Sequence, residues 1–156
     1  MASGVVNSIN VSRGGVPKWP VPEVLVGVQG LSGDRQRWRD HGGPQRAVCL
    51  YALERIEALR GEGHPIGPGS AGENLTLSGV DWSLLAPGAE LRVAKVHLLV
   101  TSYTAPCGNI AGCFAGGAYE RISQELHPGW SRVYASVVAP GLVRVGDPVV
   151  LLSPAR

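Results

Sequence analysis

Apolar and polar positions alternate with a period of two along much of the chain, in short runs closed by Gly and Pro. Val5, Asn7, Ile9 and Val11 alternate with Val6, Ser8 and Asn10, which predicts a first strand over 5–11. Further strands are predicted over 24–28, 47–50, 75–77, 132–139, 143–145 and 149–152. The longest candidate, 89–101, changes phase: Leu91 and Val93 are apolar on odd positions, whereas Val96, Leu98 and Val100 are apolar on even ones. A bulge or bend near Ala94-Lys95 reconciles the two halves, and such irregularities curve sheets into small barrels. Helical spacing occurs over 51–60, where Ala52, Ile56 and Leu59 share a face, and over 115–126, with Ala115, Tyr119, Ile122 and Leu126 on one side. One helical turn is expected over 81–85.

Glycine and proline, 22 and 12 residues, are spread through the chain and favour short strands over long helices. A chain of 156 residues is expected to form a single domain, 1–156, large enough to bury roughly 70% of its unfolded surface. Seven or so strands with two helices point to a mainly β barrel carrying helical excursions.

The charge balance, 14 basic against 12 acidic residues, is too even for a nucleic-acid footprint. No apolar run approaches the roughly 18 residues of a membrane span. Cys49, Cys107 and Cys113 form no CxxC pair, which argues against a zinc ribbon or a thioredoxin-like centre. With no signal-peptide pattern, a reducing cytoplasm is the expected setting.

Candidate chemistry centres on Ser102 to Asn109. Pro106 presets its own backbone, and Gly108 lets the chain leave without crowding the Cys107 sulfur. A thiol delivered by such a turn suits a soft-metal ligand, a nucleophile or a sulfur carrier; a small buried hydrophobe is the plainer alternative. Two loops are rich in glycine and polar residues. The first, 34–44, holds Arg35, Arg37 and Arg39 and ends in His41-Gly42-Gly43-Pro44; it reads as a solvated turn or as an anion site. The second, 67–74, ends in Gly72-Glu73-Asn74, where Asn74 is a turn former or a hydrogen-bonding group for a ligand. Cys49 lies on an apolar strand and reads as core. Cys113 reads as core or surface, and His64, His97 and His127 as structural.

Four pieces in order resemble the MOSC family, named for the C-terminal part of molybdenum-cofactor sulfurase. They are Gly33-Asp34 through His41-Gly42-Gly43-Pro44; Gly69 with Gly72-Glu73-Asn74-Leu75; Pro106-Cys107; and Tyr134 with Pro140-Gly141 and Val145-Gly146-Asp147-Pro148. Their order and spacing look like those of compact, stand-alone bacterial members. The resemblance implies a barrel of the pyruvate-kinase type with two or three short helices. It also implies a molybdenum–pterin cofactor (molybdopterin) with Cys107 bonded to the metal. Around that cofactor, His41, Gly42, Gly43, Arg46, Asn74 and Tyr134 are the expected binding residues, His41 as a hydrogen-bond donor rather than a ligand. Tyr134 projects from the opposite side of its strand to Val133, Ala135 and Val137.

Members that carry the cofactor look like small reductases of N-hydroxylated bases. The implied activity is therefore reduction of an N–O bond in a small N-hydroxylated compound. The chain has no cysteine cluster for an iron–sulfur centre, so electrons are expected from an external donor protein. The alternatives are a non-enzymatic persulfide carrier using Cys107 and a module that delivers the cofactor without turnover.

Overall fold

The computed structural model describes residues 3–12, 14–34 and 43–155. Its frame is a closed ring of seven strands: β1 (Ser3–Val11), β5 (Val48–Ala52), β6 (Leu75–Ser78), β7 (Glu90–Val93), β8 (Val96–Tyr103), β9 (Val133–Ala139) and β11 (Pro148–Ser153). The order around the ring is β11-β7-β8-β9-β5-β6-β1, and β1 closes on β11. A short strand, β2 (Trp19–Val21), extends the sheet beyond β1. Strands β3 (Glu23–Gly27), β4 (Gly30–Leu31) and β10 (Gly141–Arg144) form a separate small sheet.

Ring neighbours are antiparallel except β5 and β6, which pair in parallel. A parallel pair needs a long crossover. Here it contains the helix α1 (Leu53–Gly61) and the glycine-rich loop that precedes β6.

The interior is filled from alternate positions. Val96, Leu98 and Val100 of β8 meet Val133 and Ala135 of β9, Leu50 of β5, and Leu75 and Leu77 of β6, all at most 1% exposed. Strand β5 departs from alternation: all five of its residues are buried. Val48 and Leu50 pair with Ala135 and Val133, whereas Cys49 pairs with Tyr134 on the other face. That outer face is covered by loops, and the cover creates the cleft described below.

Three expectations are corrected. Residues 89–101 are a hairpin rather than one bulged strand. Val93 pairs with Val96, and Ala94 takes the left-handed φ of 55° that the two-residue turn requires. The phase change is therefore the turn itself, hidden because Ala-Lys carries no glycine or asparagine. Residues 115–126 do not form a helix. They are split into 3₁₀ turns at Ala115–Gly117 and Tyr119–Ile122, because Gly116 and Gly117 adopt φ of 63° and 72°. Leu126, expected on the shared apolar face, is 57% exposed. Finally, Tyr51 belongs to β5 rather than to the following helix, and its hydroxyl donates to the Trp130 carbonyl at 2.6 Å. The expected single turn over 81–85 is present as Trp82–Leu84, capped by the Asp81 carboxylate.

Irregularities do curve the sheet, at other places. The register shifts between Val6 and Ser8 in the pairing of β1 with β6, and twice between β8 and β9. The first shift puts Val6 and Ile9 inside and leaves Val5 44% exposed. No helix among the described residues is long and apolar enough to cross a membrane.

Candidate functional site

A cleft of about 290 Å³ lies over the outer face of the β5–β9 pair. Its walls are the end of β8 and the arm that follows it, the glycine-rich loop before β6, and the approach to β2. Side chains from distant parts of the chain meet there, including Lys18, Arg46, Cys49, Cys107, Arg132 and Tyr134.

The thiol arm leaves β8 at Tyr103. Cys107 is half-buried, and its carbonyl accepts the Ile110 N–H at 3.1 Å to start the 3₁₀ turn Gly108–Cys113. The arm is braced from outside the cleft. His64 Nδ1 accepts the Ala115 N–H at 3.0 Å, and Arg121 makes a two-pronged contact with Glu62 at 2.9 and 2.8 Å. Crowding does not explain Gly108, since a Cβ there would meet open space.

Arg132, just before β9, joins the two walls. Its Nη1 donates to the Ala71 carbonyl of the glycine-rich loop at 2.6 Å, and its Nη2 to the Ala105 carbonyl of the thiol arm at 3.4 Å. The residue is 5% exposed, and Nε is buried without a hydrogen-bond partner. No carboxylate among the described residues forms an ion pair with it. A buried guanidinium on the cleft wall that is bonded to carbonyls and paired with no carboxylate among the described residues favours an anionic ligand.

Lys18 is the second buried cation. Its ammonium contacts both oxygens of Asp34 at 2.6 and 2.9 Å, and each side chain is 4% exposed. The glycine-rich loop sets the depth of Lys18: the Lys18 N–H donates to the Gly69 carbonyl at 3.0 Å. Gly69 has φ of 82°, and a Cβ there would lie 2.6 Å from the Lys18 carbonyl oxygen, so the close approach requires glycine.

Tyr134 reaches the cleft as its strand position predicts. The Arg46 guanidinium lies 5.4 Å from its ring centroid. Burial above all, with further contributions from the two neighbouring cysteines, pushes the phenol up to about 12, so its hydroxyl stays a donor. Cys49 also lines the cleft, with Sγ 3.7 Å from the Thr104 hydroxyl, and burial pushes its thiol up. Cys113 points elsewhere: its thiol donates to the Ile110 carbonyl at 3.2 Å, and burial pushes it up to about 11.

The expected site residues thus divide. Cys107, Arg46 and Tyr134 are brought together. Asn74 is not on the cleft wall; it is 1% exposed and bonded within the chain. Gly43, with φ of 97°, opens the turn Pro44–Arg46 that presents Arg46, but does not itself line the cleft. His41 and Gly42 lie outside the described residues, as do Arg35, Arg37 and Arg39. Lys18 and Arg132 were not singled out as site residues from the sequence. Each is one basic residue beside a strand, and only burial without solvent distinguishes it.

The donor set fits a molybdenum–pterin group. Cys107 offers a soft sulfur, and among the described residues no three His, Cys, Asp or Glu side chains gather into a metal cage, so a metal here would bring its other ligands with it. The buried Arg132 Nε offers an unpaired donor for an anionic end.

Comparison with known proteins gives the family. The MOSC domain model matches residues 38–150, and the chain belongs to the MOSC domain family. It is 30% identical over 145 residues to the protein YflK of Bacillus subtilis (strain 168), covering 89% of this chain and 63% of that one. It is 29% identical over 137 residues to YiiM of Escherichia coli (strain K12), covering 84% of this chain and 60% of that one. The chain therefore spans less than two thirds of the length of these curated relatives. The crystal structure of YiiM from Geobacillus stearothermophilus superposes with a TM-score of 0.72 at 25% identity, covering 96% of this chain and 75% of that one.

Proposed function

We propose that the cleft holds a molybdenum–pterin cofactor, and that the loaded protein reduces the N–O bond of a small N-hydroxylated compound with electrons from an external donor protein. The observation that carries this reading is Arg132: a buried cation with an unpaired Nε, placed between the thiol arm and the glycine-rich loop. Cys107 would ligate the metal, and Arg132, Lys18 and Arg46 would hold the anionic end of the pterin. Tyr134, protonated across the working range, would donate a hydrogen bond to the bound group. The two-electron chemistry is what the bound cofactor supplies; the chain binds it, orients it and screens it from water. Free thiols in this number suit a reducing cytoplasm.

The test is molybdenum content by mass spectrometry, on protein made in a cofactor-producing host, beside Cys107→Ala. Near-stoichiometric metal in the parent and background metal in the variant support the reading and open assays on N-hydroxylated substrates. Background metal in both, under conditions that load a known molybdoenzyme, counts against it. Cyanide-releasable sulfur on Cys107 would then favour a persulfide carrier, and transferable cofactor without turnover a delivery module.

A further inference from the structure

The Gly33-Asp34 and Gly72-Glu73-Asn74 segments lie 40 residues apart, yet their polar side chains meet below the cleft. Asp34 Oδ2 accepts from Asn74 Nδ2 at 2.8 Å, and Asp34 Oδ1 accepts from the Ser12 N–H at 2.8 Å. The same two oxygens take the Lys18 ammonium. Asn74 in turn bonds the backbone of Cys49, another cleft residue. Asp34 itself does not line the cleft, whereas Lys18 does.

We infer that Asp34 is a positioning residue of the site: its carboxylate, clamped by Ser12 and Asn74, holds the Lys18 ammonium charged and facing the cleft, where it meets an oxyanion group of the ligand. This rests on the reading of the cleft as an anion site. The ammonium has three N–H donors, and the described contacts to Asp34 use two. A buried ammonium without a counter-charge gives up its proton rather than remain ionised. The other charged or titratable groups on the cleft wall are Arg46, Arg132, Cys49, Cys107, Tyr103 and Tyr134, and Glu73 is buried beside Gly72. Asp34 is the acidic group in contact with Lys18, and the two arginines oppose its charge. A role limited to bracing the loop would not couple Asp34 to the protonation of Lys18.

The chain has two lysines, Lys18 and Lys95, so protein labelled at lysine 13Cε gives two resonances to titrate, assigned with Lys95→Arg. In Asp34→Asn the Lys18 resonance should titrate at least about one pH unit lower than in the parent, a tenfold change in proton affinity. Asp34→Glu, which keeps the charge, should stay near the parent. Inorganic sulfate, whose charge is constant over the range, is the ligand probe. Its affinity for Asp34→Asn, relative to the parent, should fall with rising pH in step with the neutral fraction of Lys18 read from the titration of that variant.

An unmoved Lys18 titration in folded Asp34→Asn overturns the inference. A moved titration with no sulfate binding to either protein upholds the role of Asp34 and sinks the anion-site reading instead. Should Asp34→Asn not fold, Lys18→Gln asks the same question from the other partner. The Asp34 carboxyl, followed by aspartate 13Cγ, should then take up its proton at higher pH than in the parent, and an unchanged value overturns the inference.

Discussion

Asn74 and Cys49 are joined through both side chain and main chain: Asn74 Oδ1 accepts the Cys49 N–H at 2.9 Å, and the Asn74 N–H donates to the Cys49 carbonyl at 2.8 Å. The side chain thus supplies a partner for a Cys49 N–H that the β5–β6 ladder leaves at its edge. It also reaches Asp34 at 2.8 Å and the Asn10 carbonyl at 3.4 Å. Asn74→Ala removes a partner from three buried groups at once and should cost roughly 3 kcal/mol, read by urea unfolding. A loss below about 0.5 kcal/mol, the size of an ordinary surface change, would show that water replaces the amide.

Arg132 makes a different demand, since it bridges two walls while presenting a charge. Arg132→Met should lower sulfate affinity and molybdenum content at least tenfold, about 1.4 kcal/mol or more. Arg132→Lys should not restore them, because one ammonium cannot keep the fork to Ala71 and Ala105. Full rescue by lysine would mean that only net charge matters at this position.

The three thiols should react in a fixed order. Cys107 is half-buried on the cleft wall, whereas Cys49 and Cys113 are buried with thiols pushed up by burial. At pH 8 a thiol near 11 is ionised in only about one molecule in a thousand. Iodoacetamide followed by peptide mass spectrometry should label Cys107 at least about tenfold faster than either of the others. Labelling of Cys49 at the same rate would place it at the open side of the cleft.

Glu73 is fully buried; one carboxyl oxygen accepts from Thr76 at 2.8 Å, and the other has no hydrogen-bond partner. Burial, the largest influence, raises its carboxyl above the ordinary carboxylate range. The native state therefore keeps a proton that the unfolded chain releases near pH 4.3. By linkage, this group's contribution to stability falls as pH rises from there toward the folded value. Glu73→Gln, a neutral near-isostere, should gain on the parent in urea stability between pH 5 and pH 7.5. A constant difference between the two proteins across that range would mean that Glu73 is ionised in the fold.

The strands were legible because a half-buried sheet leaves a period of two in the sequence, as in Val133, Ala135 and Val137 of β9. The hairpin at Ala94 was not, because its turn lacks the residue types that usually mark a left-handed φ. The segment 115–126 misled for the opposite reason. Four apolar residues at helical spacing suggested a helix, but Gly116 and Gly117 break it, and the packing of the Cys107 arm uses 3₁₀ turns.

The site was legible where chemistry is local. The Pro-Cys-Gly turn and the projection of Tyr134 could be read from the residues themselves, and both reach the cleft. Asn74 was legible as a polar group at a strand entrance but not as a buried brace, because the partner it holds, Asp34, is 40 residues away.

The order of apolar and polar residues was enough for the β character of the chain and most of its strand positions, since side-chain alternation is a property of neighbours along the backbone. The strand count also suggested a barrel, and the Pro-Cys-Gly turn singled out Cys107; the family resemblance added the barrel type and the molybdenum–pterin expectation. Which cations serve the cleft was decided only in three dimensions. Lys18 and Arg132 acquire their character from what surrounds them: one is held by a carboxylate, the other by two carbonyls with a buried Nε left over. Burial and pairing depend on contacts between residues far apart in the chain, and no local pattern encodes them.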